Sequence, residues 1–217
     1  MTIQVYCEPC TVNSRKVLAG LEQLAADYKN NRINFFAKEH KSDAFKKINP
    51  MGTVPAAVDG DLTLTESNAI LQYAADLAPD DSMYPKDPKK RAIINTWLFW
   101  EAATWFPSCY VYIVENCVKP GLLKVEADQE RLDGEAERFQ KCASILEAQL
   151  SQTKWLTGDN VTIADIAIAA PMQIHAASKL PLDNYPNLRR WMSENVEQLE
   201  SWKKTQGPVT EMLKGSG

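Results

Sequence analysis

Apolar and polar positions near the start of the chain follow two different periods. Residues 3–7 alternate between apolar and polar side chains, which predicts a short strand. Over residues 14–28 the apolar positions recur at helical spacing and form one stripe of Val17, Leu18, Leu21, Leu24 and Ala25. The apolar residues at 33–36 predict a second strand. A β-α-β order is therefore expected at the start of the chain.

A hairpin is predicted downstream of this unit. Residues 54–58 and 62–65 are typical of strands, and the Asp59-Gly60 dipeptide between them is typical of a tight turn. A helix is predicted at 67–77, with its inward positions at Ile70, Leu71, Ala74 and Leu77. A ββα unit therefore follows the βαβ unit after a connection.

Prolines separate this region from a different pattern. Residues 79–88 contain three prolines among charged residues, which predicts a linker. Asp87 and Pro88 suit the cap and the first position of a helix. Beyond them the pattern is helical almost throughout, including residues 89–118 and 128–150.

The pattern as a whole predicts two domains of different class. Thr162 and Asp165 form a candidate capping box that opens a further apolar helix. We therefore predict an α/β domain over residues 1–78 and an all-α domain over residues 89–217, joined by the linker. The last residues, 215–217, are predicted to be a flexible tail.

Composition and charge exclude several classes of protein. The chain has 217 residues with 24 Lys+Arg against 28 Asp+Glu, and its net charge of -4 does not suit a nucleic-acid surface. No run approaches the roughly 20 apolar residues that a membrane span needs. The N-terminus has no basic stretch followed by an apolar one, so we expect no secretory signal and a cytoplasmic protein.

The cysteines predict neither a disulfide framework nor a metal centre. There are 5, an odd number, in a chain large enough to fold without covalent cross-links. With 2 histidines and one close cysteine pair, the sequence has no pattern of four zinc ligands. No bound metal is expected.

Two positions in the α/β region could bind a ligand through its backbone or its charge. Pro55 begins a predicted strand, where it cannot donate to the ladder. A cis Val54-Pro55 bond would turn the Val54 backbone toward an extended ligand, whereas a trans proline on an edge strand is the ordinary alternative. Glu66 and Ser67 precede a helix whose N-terminus could hold a carboxylate, although Ser67 or Thr65 could equally be a simple cap.

The turn after the first strand carries thiols and hydroxyls. Cys7 and Cys10 lie there beside the N-terminus of the first helix, an environment that stabilises a thiolate of the protein or of a ligand. They could form a redox pair, or they could be one core and one turn cysteine. His40 and Lys41, in a polar connection, could bind a second carboxylate or be a solvated basic pair.

These features together resemble the cytosolic glutathione transferases over the whole chain. The most specific segments are residues 49–55, the run of residues 59–70, residues 84–88 and Asp165 in its capping box. The resemblance implies a thioredoxin-like N-terminal domain followed by a helical one. It also implies a cis Val54-Pro55 bond whose backbone pairs with glutathione, and a γ-glutamyl site at Glu66 and Ser67.

The first turn resembles two subgroups of that family. Residues 7–18 are similar to the phi-type segment, in which a serine at the position of Thr11 binds the glutathione sulfur. They are equally similar to a nu-like pattern, in which threonine and asparagine share this task. The resemblance therefore implies Thr11 first and Asn13 second, with Cys10 and Ser14 as lesser candidates.

The remaining site residues follow from the same resemblance. His40 and Lys41 match a site for the glycine carboxylate, and Thr53 lies beside the Val54-Pro55 bond. The expected function is attack of the glutathione thiolate on small hydrophobic electrophiles, as in detoxification, by a homodimer. Apart from the resemblance, the aromatic residues of the long helix could supply an apolar wall for the electrophile, although most aromatic stripes at helical spacing are core. Of these aromatics, Trp105, Phe106 and Tyr110 are expected to line the pocket.

Two other functions were compatible with the residues. A glutathione-dependent reductase of disulfides or peroxides would exchange sulfur through Cys10 or through the Cys7/Cys10 pair. A non-enzymatic module would use the same fold for ligand carriage or dimerisation. The sequence does not identify the physiological electrophile, because a pocket made by helix packing and loops decides it.

Overall fold

A mixed four-stranded sheet forms the first part of the chain in the computed structural model, which describes residues 2–215. The spatial order is β2-β1-β3-β4, with β2 parallel to β1 and the other neighbours antiparallel. The strands are β1 (Ile3–Cys7), β2 (Tyr28–Arg32), β3 (Ala56–Asp59) and β4 (Leu62–Leu64). Of the predicted tail, residues 216 and 217 lie outside the described residues.

Three helices belong to this sheet. They are α1 (Val12–Gln23), α2 (Asp43–Lys46) and α3 (Ser67–Leu77), with a 3-10 turn at Glu39–Lys41. Because successive side chains of a strand point to opposite faces, Val5 packs with α1 and α3 whereas Tyr6 packs near Phe45 of α2. Gly20 of α1 allows the close approach of α3, since a Cβ there would lie 2.1 Å from Leu71 Cδ2.

The rest of the described chain is helical. Its α-helices are α4 (Pro88–Trp100), α5 (Phe106–Ile113), α6 (Gln129–Leu150), α7 (Ile163–Ala169), α8 (Pro186–Arg190), α9 (Glu200–Lys204) and α10 (Gly207–Gly215). Wider π-helical turns at Glu101–Trp105 and Val114–Leu123 extend α4 and α5, and another at Trp191–Val196 follows α8. A short 3-10 turn, Ala170–Met172, follows α7. None of the described helices is long and apolar enough to cross a membrane.

The predicted fold class is confirmed, and the capping box is present. Asp165 is fully buried and its Oδ2 accepts the Thr162 backbone N–H at 2.9 Å. Its Oδ1 accepts the backbone N–H of Leu156 and the indole N–H of Trp191. One carboxylate therefore joins the start of α7 to two neighbouring segments of the helical core.

The second strand was predicted at the wrong place. It spans Tyr28–Arg32 rather than residues 33–36, and it lies at the edge of the sheet, where most of its side chains are polar and exposed. The first helix also ends earlier than predicted, at Gln23, because Ala25 adopts a left-handed conformation with φ of 50°. An edge strand without apolar alternation is invisible to the periodicity that located the other strands.

Candidate active site

A cavity of about 800 Å³ lies where the loops of the sheet meet the helical part. Its wall on the sheet side includes Cys10, Thr11, Asn13, Phe35, His40, Lys41, Thr53 and Val54. The helical wall includes Phe106, Tyr110, Ile113, Cys117, Gln173, Ile174, Met212 and Leu213. The structure therefore brings most of the predicted site residues to one cavity that is polar on one side and largely apolar on the other.

Thr11 lies at the N-terminus of α1 and presents its hydroxyl there. It is the cap residue, with extended φ and ψ of -75° and 147°, but its side chain makes no capping hydrogen bond. Its Oγ1 lies 3.0 Å from the carbonyl oxygen of Glu8 and 2.7 Å from Ser14 Oγ. No acidic residue occupies the first turn of α1, so the positive end of the helix dipole faces the cavity uncompensated.

Asn13 lines the same cavity one turn away from the sheet. Its Oδ1 is buried without a partner among the described residues, and none of them hydrogen-bonds its Nδ2. The amide N–H group is therefore free to donate to a ligand. A hydroxyl and an amide donor thus stand beside one helix N-terminus.

The cysteines of the first turn are neutral thiols at neutral pH. Burial, followed by the charge of Glu8, raises the pKa of Cys10 to about 11 and that of Cys7 to about 12. Cys10 is 3% exposed, and both cysteines are free thiols in the structure. Only a thiolate attacks a disulfide, so this environment does not favour a redox pair.

The polar connection after β2 forms the far end of the cavity. His40 is buried against Phe35, with ring centroids 4.4 Å apart, and its Nδ1 has no partner among the described residues. Burial, then the charge of Lys41, lowers the pKa of His40, so its ring is neutral at neutral pH. Lys41 Nζ donates to the carbonyl oxygen of Gly52 at 2.7 Å, which holds its charge beside Thr53.

The Val54-Pro55 peptide bond is cis, as the family resemblance implied. Thr53 and Val54 line the cavity, whereas Pro55 is buried beneath it at the start of β3. Asn49 donates through its Nδ2 to the carbonyl oxygen of Thr53 at 2.7 Å and so braces this turn.

Glu66 and Ser67 lie at the start of α3 and not among the residues that line the cavity. Glu66 occupies the cap position without a side-chain capping bond, so the simple cap expected at Thr65 or Ser67 is not present. Ser67 Oγ instead accepts a hydrogen bond from Lys16 Nζ at 3.1 Å. Its hydroxyl proton remains available to an incoming carboxylate.

Lys16 and Glu101 form a buried ion pair that the sequence analysis missed. Lys16 Nζ lies 2.8 Å from Glu101 Oε2, and both side chains are almost completely buried. Asn68 also donates to Glu101 Oε2, at 3.0 Å. The pair thus connects α1, the start of α3 and the first π-helical turn of the helical part. Charged residues inside apolar helical stripes were the signal that could have revealed it.

The structure corrects one of the three predicted pocket aromatics. Phe106 and Tyr110 line the cavity with stacked rings 5.2 Å apart, but Trp105 does not. Trp105 is 0% exposed, packs against Phe139 and donates its indole N–H to the carbonyl oxygen of Ile168. Its position in the helix turns it toward the helical core, one residue before the side that faces the cavity.

Other residues of the helical part reach the site unexpectedly. Gln173 donates through its Nε2 to the carbonyl oxygen of Cys10 at 3.0 Å, across a separation of 163 residues. Met212 and Leu213 of α10 close the apolar end of the cavity. The only local signal for Gln173 was that a polar residue follows the apolar stretch of α7 and the short turn after it. The sequence of α10 carried no local signal that Met212 and Leu213 reach the cavity.

Comparison with known proteins agrees with this geometry. Residues 1–76 match the glutathione S-transferase N-terminal domain, and residues 97–198 match the glutathione S-transferase C-terminal domain. A glutathione S-transferase from Hyoscyamus muticus is 33% identical over 193 residues, which are 87% of this chain and 90% of that protein. The chain belongs to the glutathione S-transferase family. The expected transferase function is confirmed.

Other relatives and solved structures support the same assignment. A probable glutathione S-transferase from Oryza sativa subsp. japonica is 28% identical over 93% of this chain and 94% of its own. Glutathione S-transferase I from mais, solved with an atrazine glutathione conjugate, has a TM-score of 0.86 at 28% identity, covering 97% of this chain and 99% of that one. Glutathione S-transferase-I bound with lactoylglutathione gives a TM-score of 0.86 at 28% identity, covering 96% and 100%.

Proposed function

We propose that this transferase binds glutathione as its thiolate beside Thr11 and Asn13 and presents it to small hydrophobic electrophiles. The observation that carries the proposal is the Thr11 hydroxyl at the uncapped N-terminus of α1, on the wall of the cavity. Thr11 donates a hydrogen bond from its hydroxyl to the sulfur, and Asn13 donates one from its amide N–H. The thiol proton leaves to solvent, the sulfur forms a bond to the electrophile, and the leaving group departs with the bonding pair.

The required stabilisation is within reach of these groups. A thiol of pKa about 8.5 is only about 3% ionised at pH 7, and lowering its pKa by about two units raises this to about 75%, for about 2.7 kcal/mol. A charge-assisted hydrogen bond contributes about 1.5–3 kcal/mol, and a helix N-terminus contributes about 0.3–1 kcal/mol. Thr11 and the first turn of α1 therefore suffice without a general base.

The remaining polar groups suit the two ends of glutathione. The Val54 backbone would pair with the cysteinyl part, next to Thr53 and the cis Pro55 bond. Lys41 would supply the charge, and the neutral His40 ring one N–H donor, for the glycine carboxylate.

The γ-glutamyl end would lie at the start of α3. There Ser67 would donate to the α-carboxylate, and the exposed Glu66 would accept from the ammonium group. Lys16 Nζ donates to Ser67 Oγ from behind, which leaves the Ser67 hydroxyl proton to the carboxylate.

The electrophile would bind against the helical wall. Phe106 and Tyr110 offer stacked aromatic faces, and Ile174, Met212 and Leu213 add apolar area. The mais enzyme of related fold was solved in complex with an atrazine glutathione conjugate, a product of the kind of reaction proposed here. Conjugation of a chloronitroaromatic compound provides the assay.

Substitution of Thr11 tests the proposal. Thr11→Ala should lower turnover at neutral pH at least tenfold while the KM for glutathione stays within about threefold, because only the thiolate form loses its hydrogen bond. Thr11→Ser retains the hydroxyl and should keep most of the activity. The pH midpoint at which the ultraviolet absorbance of the bound thiolate appears should move higher in Thr11→Ala but not in Thr11→Ser. Unchanged turnover in Thr11→Ala would remove this residue from the mechanism.

We further propose that residues 1–78 form the glutathione-binding domain, residues 79–88 the linker, and residues 89–217 the helical domain that shapes the electrophile pocket. The family matches at residues 1–76 and 97–198 support this division. No cluster of three potential metal ligands occurs among the described residues, and the proposed chemistry uses no metal. The free thiols suit the reducing cytoplasm, which fractionation of cells tests.

A homodimer is proposed as the working form. Large apolar side chains are exposed on α3, α4 and the turn before β3; among them Phe99 is 72% exposed, Leu77 57%, Ile93 53% and Met51 52%. A dimer interface that covers them would remove this apolar area from water. Sedimentation velocity should give twice the chain mass, and a monomer at assay concentration would contradict the proposal.

A further inference from the structure

Ser14 places a second hydroxyl directly behind Thr11. It is the third residue of α1, it is 0% exposed, and its Oγ lies 2.7 Å from Thr11 Oγ1. Water cannot reach a side chain buried to this degree, so its hydroxyl proton needs an acceptor within the protein. Thr11 Oγ1 lies within hydrogen-bond distance and is part of the proposed thiolate site.

Each of the two hydroxyls can donate to the other, and the proton count around Thr11 favours donation by Ser14. The Thr11 hydroxyl has one proton and two close oxygens. The carbonyl oxygen of Glu8, at 3.0 Å, can only accept, whereas the Ser14 hydroxyl can donate. Both neighbours are satisfied when Ser14 donates to Thr11 and Thr11 donates onward.

Thr11 can turn its proton from Glu8 to a ligand without leaving a buried group unpaired. The Glu8 carbonyl also accepts the backbone N–H of Thr11 at 3.0 Å, so it keeps one hydrogen bond when the hydroxyl moves away. Ser14 can continue to donate to Thr11 Oγ1 in both arrangements. The change therefore avoids the desolvation cost that an orphaned buried group carries.

Cys7 is the other acceptor near Ser14, and it is the weaker one. Its thiol donates to Asn30 Oδ1 at 3.2 Å. Burial raises the pKa of Cys7 to about 12, so its sulfur stays a neutral thiol at the pH of the reaction. A neutral thiol sulfur accepts hydrogen bonds weakly, so the Thr11 oxygen is the better acceptor for Ser14.

We propose that Ser14 is a positioning residue for the transferase reaction, because it donates to Thr11 Oγ1 and thereby directs the Thr11 proton to the glutathione sulfur. The inference rests on the role proposed for Thr11. No proton is transferred: each hydroxyl keeps its own hydrogen. The thiolate accepts the last hydrogen bond in the series from Ser14 through Thr11 to sulfur. A hydroxyl that accepts a hydrogen bond becomes a stronger donor, so the pair stabilises the thiolate more than Thr11 alone.

A double-mutant cycle on the pKa of bound glutathione tests this inference. The variants are Ser14→Ala, Thr11→Ala and the combination, with Ser178→Ala as a control that removes another 0% exposed serine hydroxyl. Thiolate absorbance is titrated at saturating glutathione, and kcat is measured from pH 6 to pH 9. Ser14→Ala should raise the thiol pKa by about half a unit and lower kcat at pH 6 about threefold. The difference in kcat should vanish at pH 9.

The combination separates this inference from the function on which it rests. In the Thr11→Ala background, Ser14→Ala should cause no further pKa shift, because the path to sulfur is already gone. Equal pKa shifts in both backgrounds, or no shift in Ser14→Ala while Thr11→Ala shifts the pKa, would overturn the role of Ser14 alone. A Thr11→Ala variant with an unshifted pKa would overturn the proposed thiolate site itself. Ser178→Ala should leave the pKa unchanged, and a shift there equal to that of Ser14→Ala would also contradict the inference.

Discussion

Replacement of Glu101 by glutamine tests whether the buried ion pair holds the two parts of the chain together. Glu101→Gln keeps the size of the side chain and removes its charge. Lys16 would keep hydrogen-bond partners in Ser67, 3.1 Å away, and Asn68, 3.2 Å away. Its buried charge, however, would lose the carboxylate now 2.8 Å from Nζ. The variant therefore isolates the electrostatic part of the contact.

The expected loss is large because both partners are buried. Breaking a buried pair by removing one charge costs about 3–5 kcal/mol, since the remaining ion is left in a poorly polarisable interior. Burial lowers the pKa of Lys16, and the Glu101 charge and hydrogen bond act to raise it. Without that carboxylate the pKa of Lys16 must fall further.

The pH dependence of this loss has a definite sign. With the pKa of Lys16 lowered in the folded state, the unfolded chain binds more protons between that pKa and about 10.4. Stability therefore rises with pH across this window. The deficit of Glu101→Gln relative to the unsubstituted protein should be about 3 kcal/mol at pH 7 and should shrink by about 1 kcal/mol or more at pH 9.5.

Urea unfolding at a fixed protein concentration, followed by tryptophan fluorescence, measures these free energies. The control Glu137→Gln removes an ion pair to Lys141 that is equally short, 2.7 Å, but exposed, and it should change nothing measurable. The double variant Lys16→Met with Glu101→Gln removes both charges and should regain most of the lost stability. A Glu101→Gln deficit below about 1 kcal/mol at pH 7, or one independent of pH, would refute this reasoning.

Two further outcomes follow from burial. The rate at which iodoacetamide alkylates Cys10 should rise about tenfold per pH unit up to the pKa of this thiol, about 11. Peptide mapping measures the label on Cys10, and rapid labelling at pH 7 would contradict a buried neutral thiol. Gly20→Ala should lower the free energy of unfolding by about 1–3 kcal/mol, because the new Cβ meets Leu71, which is fully buried. The control Gly134→Ala, in open space on α6, should raise it by about 0.5–1 kcal/mol, and equal effects of the two variants would contradict the packing argument.

The sequence predicted the elements whose burial is periodic and missed those whose burial is not. β1 was located because alternate residues such as Val5 face the core, and α7 because Thr162 and Asp165 cap it reciprocally. β2 is an edge strand with exposed polar side chains, and its pairing with β1 is a tertiary contact that no local pattern encodes. The four-residue α2 is too short to show a helical period.

The site was predictable to the extent that it is built from local motifs. The first turn and the Val54-Pro55 segment are each short continuous stretches of sequence. Cys10, Thr11, Asn13, Thr53 and Val54 line the cavity, whereas Cys7, Ser14 and Pro55 are buried behind its wall. The aromatic wall was harder, because Trp105 and Phe106 are adjacent and their helix turns one toward the core and the other toward the cavity. The helical pattern predicts which residues are candidates for such a wall, but it does not predict which side chains point toward the cavity.

Contacts over long sequence distances hold the segment that carries the proposed thiolate site. Near Thr11, the helical part holds the start of the first helix and the turn before it at three residues: Lys16 by Glu101, Arg15 by the Trp202 carbonyl oxygen and Gln206, and the Cys10 carbonyl by Gln173. Each contact ends within six residues of Thr11, so together they fix the donors before glutathione arrives. Donors fixed in advance need no reorganisation when the thiolate forms, and this preorganisation is a principal source of electrostatic stabilisation in enzymes. The helical part therefore both lines the proposed electrophile pocket and contacts the segment that carries the groups proposed to ionise glutathione.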